Sequence, residues 1–132
     1  MDQVPLVSEQ IDAGTKFLGE FQKYLPIQAA FWLKETEEGD WSLYVASEQI
    51  TDDNFDVVYG EVLRIAGQLR DPWFDPFQVK VIGANDPLAQ AALDIQRRFP
   101  GRMPTRFHGN IFGGVSVDEV YVYPSSIPVL TQ

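Results

Sequence analysis

The chain has 132 residues and a formal charge of −9, and 45% of its residues are hydrophobic. That length and apolar share fit a single globular domain over 1–132 and exclude a disordered chain. The absence of cysteine and the single histidine, His108, exclude disulfides, thiolate metal sites, cysteine nucleophiles and multi-histidine metal centres within one chain.

Residues 1–8 read as a loosely held lead-in. A helix is expected from about Ser8 to Tyr24, with Ile11, Leu18, Phe21 and Leu25 as its seam and Gly14 interrupting it. Ser8 is its candidate cap, and Pro26 stops it. Next, Ile27, Ala29, Phe31 and Leu33 alternate with Gln28, Ala30, Trp32 and Lys34, the two-residue period of a strand. Thr36-Glu37-Glu38-Gly39-Asp40 supplies a turn. A second strand follows, with Trp41, Leu43 and Val45 on one side and Ser42, Tyr44 and Ala46 on the other.

Phe55, Val58, Tyr59, Val62, Ile65, Ala66 and Leu69 recur at steps of three and four, which predicts an amphipathic helix. Thr51, Asp52 or Asp53 caps its start and Pro72 closes it. Asp71-Pro72-Trp73-Phe74-Asp75-Pro76-Phe77 is then a proline-punctuated loop with three aromatics. A loop that apolar is either a lid over the core or an exposed anchor for a partner.

Gln78 to Gly83 reads as a strand, and Asn85-Asp86-Pro87 as a capped helix start. Leu88, Ala91, Ala92, Ile95 and Phe99 form that helix's buried side, and Pro100-Gly101 ends it. Residues 101–114 read as a long connection with a short strand at Thr105 to His108. Val115 to Tyr123 is the closing strand, and the chain from Pro124 onward a frayed tail.

The order α-β-β-α-β-α-β(-β) predicts an α+β fold. Its expected form is a mixed four- or five-stranded sheet with helices packed on one face, the second and third among them. If those helices cover Phe31, Leu33, Leu43, Val45, Val79, Val81, Val120 and Val122, the other face carries Trp32, Lys34, Tyr44, Lys80, Tyr121 and Tyr123. Trp32, Tyr44, Lys80, Tyr121 and Tyr123 are thus a candidate partner-binding face, unless the first helix lies across it.

Charge marks a second surface. Residues 1–60 hold twelve acids against three lysines, whereas 97–106 hold Arg97, Arg98, Arg102 and Arg106 and no acid. With His108 and the following glycines, these arginines form a candidate anion site for phosphate or carboxylate. The competing reading is a helix end, where cations favour the dipole, followed by a solvated loop. The acidity elsewhere argues against nucleic acid as a partner. No stretch approaches the roughly 20 apolar residues of a membrane span. Met1-Asp2-Gln3-Val4-Pro5 lacks the pattern of a secretory leader, so a cytoplasmic location is expected.

No catalytic or metal-ligating constellation stands out, and no cofactor is expected. Asp52-Asp53-Asn54-Phe55-Asp56 fits a magnesium-pyrophosphate pattern only formally, because it opens a helix in a chain too short for the cavity such chemistry needs. Ser116 lies outside any GxSxG elbow. The expectation is a non-catalytic accessory or protein-interaction module that binds a protein partner or self-associates. The alternative is a small-molecule or phosphate-binding protein, enzyme or not, that uses Arg97 to His108.

Overall fold

The computed structural model describes residues 6–36, 39–99 and 104–124, with the backbone alone at 107–110. The expected ends of the chain at 1–5 and from 125 lie outside the described residues, as do Pro100, Gly101 and Arg102. The elements follow the expected order: α1 (Ser8–Phe21), β1 (Ala29–Lys34), β2 (Ser42–Ser47), α2 (Phe55–Leu69), β3 (Val79–Gly83), α3 (Pro87–Arg98), β4 (Thr105–Phe112) and β5 (Val115–Val122). This is an α+β fold on one mixed sheet in the order β3-β2-β1-β5-β4. All pairings are antiparallel except β2 with β3.

The helices do not share a face. Leu18 and Phe21 of α1 and Val58, Val62 and Ile65 of α2 pack with Ala30, Trp32, Leu43, Val45, Val79 and Val81. Ala89 and Ala92 of α3 pack on the reverse with Phe31, Leu33, Tyr44, Val120 and Val122. Topology explains the split. The β2-α2-β3 crossover between parallel neighbours takes α2 over one face beside α1. The chain must then cross from one edge strand, β3, to the other, β4, and α3 carries it over the uncovered face.

Strand phase departs from expectation for a related reason. Trp32 pairs with Leu43, and Phe31 with Tyr44. The apolar sets of β1 and β2 therefore face opposite sides, and β1 is buried on both. Alternation within one strand says nothing of its phase against the next, which the pairing register fixes.

Helix ends also differ in detail. Ser8 begins α1 as a helical residue, and the Gln10 side chain accepts from the Val7 N–H instead. Asn54, not Thr51 or an aspartate, occupies the cap position of α2, and its amide braces the preceding turn through Thr51 N and Gln49 O. Arg70 ends α2 in the left-handed region at φ 51°. At α3 the expected cap forms: Asp86 Oδ1 accepts from Leu88 N at 2.9 Å.

The presumed connection at 101–114 is largely strand. Gly113 and Gly114, at φ 61° and 82°, join β4 and β5 as a two-residue hairpin. Its tip folds against the start of α3, and Phe112 meets Phe31 edge-on at 5.3 Å.

Gly14 has a packing role. The Tyr123 hydroxyl and the Trp32 indole occupy the space its Cβ would need. Trp32 Nε1 donates to that hydroxyl at 3.0 Å, and the hydroxyl donates to Ile11 O of α1 at 2.8 Å. A buried polar relay thus fastens helix to sheet.

Candidate functional site

The loop between α2 and β3 turns its aromatics both ways. Phe74 turns inward and stacks on Phe17 with centroids 4.8 Å apart. Trp73 and Phe77 turn outward, 49% and 79% exposed. The cause is a turn made twice. Asp71 Oδ1 accepts from Trp73 N and Asp71 O from Phe74 N, at 2.9 and 3.0 Å. Asp75 Oδ1 and O repeat this with Phe77 N and Gln78 N. Each Asp-Pro pair fixes the backbone, and each presents the third residue of its turn. Lys16 Nζ of α1, 3.6 Å from Asp71 Oδ2, ties the loop down.

That loop leads into β3, which among the described residues is an edge strand paired with β2. The Tyr59 hydroxyl of α2 donates to Val79 O, and Phe55 and Tyr59 lie 5.7 Å apart. Phe55, Tyr59 and Leu63, at steps of four, therefore line the flank of α2 that overhangs the edge. Phe55 is 42% and Leu63 45% exposed. Phe77 and the apolar flank of α2 adjoin the start of β3, whereas Trp73 lies beside Glu9, Asp12 and Lys16 of α1.

A crevice of about 660 Å³ opens at the carboxyl ends of the parallel pair β2 and β3, where α2 and α3 depart to opposite faces. Glu48, Asp52 and Asp86 line it with Ile50, Phe55 and Ile82, and among the described residues no lysine or arginine does. Such a lining repels phosphate. Asp86 is already engaged as the α3 cap.

The expected partner-binding face is not one surface. Trp32, Tyr121 and Tyr123 lie under α1, whereas Tyr44 and Lys80 lie on the α3 face, as the pairing of Tyr44 with Lys80 requires. Trp32, Tyr44 and Tyr123 are buried. Lys80 is exposed, and its Nζ sits 5.8 Å from the Tyr44 ring centroid. The first helix lies across Trp32, Tyr121 and Tyr123, the other reading of this face. Burial raises the Tyr123 pKa, and burial with the nearby Glu35 and Asp86 carboxylates raises that of Tyr44. A phenol whose folded pKa lies above its unfolded value of about 10 contributes stability below pH 10 that is lost as pH rises further. Alkaline denaturation should therefore begin near pH 10, and Tyr123→Phe should flatten that limb. An alkaline limb of unchanged slope in the variant would contradict the assignment.

The expected anion cluster does not converge among the described residues. Arg97 and Arg98 both reach Asp94 of α3, at 3.4 and 3.0 Å. Arg106 pairs with Glu119 on β5 at 2.8 Å. Arg102 and the His108 side chain lie outside the described residues. The register puts Arg106 and His108 opposite Tyr121 and Glu119, at the edge away from β3.

One ion pair escaped the sequence reading. Lys34, 1% exposed at the end of β1, approaches Asp118 Oδ2 at 3.4 Å and lies over the Trp41 ring at 5.5 Å. Lys34 is the polar end of an apolar strand, the kind of position usually read as solvated, so no sequence signal marked it. Removing its charge partner with Asp118→Asn should cost about 2 kcal/mol, because a buried ammonium is then left uncompensated. Urea denaturation measures this, and an unchanged midpoint would show the pair to be solvated.

Comparison with family models, with curated proteins and with solved structures gives no match. No helix among the described residues is long and apolar enough to cross a membrane.

Proposed function

We propose that this chain is a non-catalytic protein-interaction module whose docking surface is the β3 edge with Trp73, Phe77 and the overhanging flank of α2. The carrying observation is the repeated Asp-Pro turn, which holds two large aromatics in solvent on a fixed backbone. Aromatics of this kind dominate binding energy at interfaces, and a backbone already ordered has little entropy left to lose on docking. Val79 N and O and Gly83 O of β3 are already bonded within the chain, so the edge would contribute through the side chains beside it rather than through its main chain. The anion-binding alternative has weaker support, since Arg97, Arg98 and Arg106 already face carboxylates within the chain.

A photo-cross-linking side chain placed at position 77 of the full chain tests this in cells, with position 90 on exposed α3 surface as the control. Discrete adducts from 77 and none from 90 are expected. Equal labelling at both, or none at 77, would remove the β3 edge as the docking surface.

A further inference from the structure

We infer that the docking surface takes a basic segment of a partner protein, one of whose arginine or lysine side chains enters the crevice at the carboxyl ends of β2 and β3. The inference rests on the docking surface proposed above and adds the chemistry of its partner. Continuity is the first argument. Phe55 lines the crevice and also opens the apolar flank of α2 that runs on through Tyr59 and Leu63. The turn carrying Phe77 packs against α2 as well. A segment laid along this flank therefore passes the mouth of the crevice.

The lining is the second argument. Ile50, Phe55 and Ile82 give the crevice an apolar wall, and Glu48, Asp52 and Asp86 give it carboxylates. Arginine and lysine match both parts, with an apolar stem for the wall and a cationic head for the acids. Asp86 uses Oδ1 to cap α3, which leaves its second oxygen for a visiting donor. The Phe55 ring, 42% exposed, offers a face on which a guanidinium can rest.

Charge is the third. Glu48, Asp52, Asp53 and Asp56 are all exposed around the mouth, and among the described residues no ion pair engages any of them. The nearby cations are occupied or turned away. Arg64 pairs with Glu61, Arg70 lines the other crevice with Glu9 and Asp12 of α1, and Lys80 lies over the Tyr44 ring on the α3 face. Four uncompensated acids beside an apolar strip repel an acidic chain and draw in a basic one.

Fluorescence anisotropy of the full chain with a short labelled peptide of alternating arginine and leucine provides the test. The native chain should bind it, and the matching glutamate–leucine peptide should not bind. Glu48→Gln/Asp52→Asn, both at exposed positions, should stay folded by circular dichroism and weaken binding by about tenfold or more. Glu35→Gln/Asp40→Asn makes the same charge change at the β1–β2 turn, the opposite end of β2, and should leave the affinity nearly unchanged. Equal weakening by both double variants would mean general attraction to an acidic surface and would overturn the inference, as would a native chain that does not bind the arginine peptide. Discrete adducts from position 77 that an excess of the arginine peptide fails to suppress would keep the docking surface and overturn its basic occupant. No adducts at 77 would remove the surface itself.

Discussion

Tyr123→Phe is expected to cost about 3 kcal/mol, the upper end of the about 1–3 kcal/mol lost when a buried donor is left without an acceptor. The hydroxyl accepts from Trp32 Nε1 and donates to Ile11 O, so one atom joins the central strand to α1. The indole N–H it leaves behind is buried and out of reach of water. Gly14 gives an internal control. In the native chain Gly14→Ala sets a methyl group against the Tyr123 hydroxyl. In a Tyr123→Phe background that hydroxyl is gone, so the second substitution should cost less than it does alone. Equilibrium urea denaturation of the two single variants and the double variant reads this directly. Strict additivity would show that the two sites do not share the relay.

Gly113→Ala is the second large effect, at about 3 kcal/mol. A left-handed backbone costs an L-residue about 1–2 kcal/mol, and here a clash is added to it. The new Cβ would stand 2.8 Å from Pro87 O and 3.0 Å from Leu88 Cα, both backbone atoms at the start of α3. Those atoms yield only if α3 shifts, and the packing of Ala89 and Ala92 on the sheet shifts with it. Gly114 has a similar φ but nothing within 4 Å, so Gly114→Ala should cost only about 1 kcal/mol. Thermal and chemical denaturation of the pair separate backbone strain from collision. Equal losses would mean that the hairpin tip does not bear on α3.

Most of the elements were legible, because their periods are local. The stripe from Phe55 to Leu69 and the alternation from Ala29 to Leu33 appear as helix and strand where they were read. What failed was relational. The alternating residues of β1 and β2 were each identified correctly but joined in the wrong phase, since Phe31 pairs with Tyr44 and not with the Leu43–Val45 set. That one slip produced an aromatic face divided by the real register. The hairpin at Gly113-Gly114 has a signal, two glycines between alternating segments, that equally fits loop composition. The ion pairs of Asp94 with Arg97 and Arg98 were also readable, at the spacings of three and four that join neighbours on a helix. Gly14 was seen as a gap in a seam, and only the packing shows what fills it. The docking loop was half legible: its aromatics were noticed, while which of them point outward depends on hydrogen bonds between each aspartate and the residues after it.

The place of β1 between β2 and β5 bears on how the molecule is made. Its Phe31 to Lys34 lie against Val122 to Glu119, a pairing that brings together stretches roughly 90 residues apart. During synthesis the first of these leaves the ribosome long before the second exists, so β1 must wait with one border bare. Helices α1 and α2 can form early over the β1-β2 hairpin, but the sheet gains its middle only when β5 arrives. A nascent chain stalled before Val115 should therefore remain open to chaperones and proteases, and release of the hairpin should end that exposure in one step.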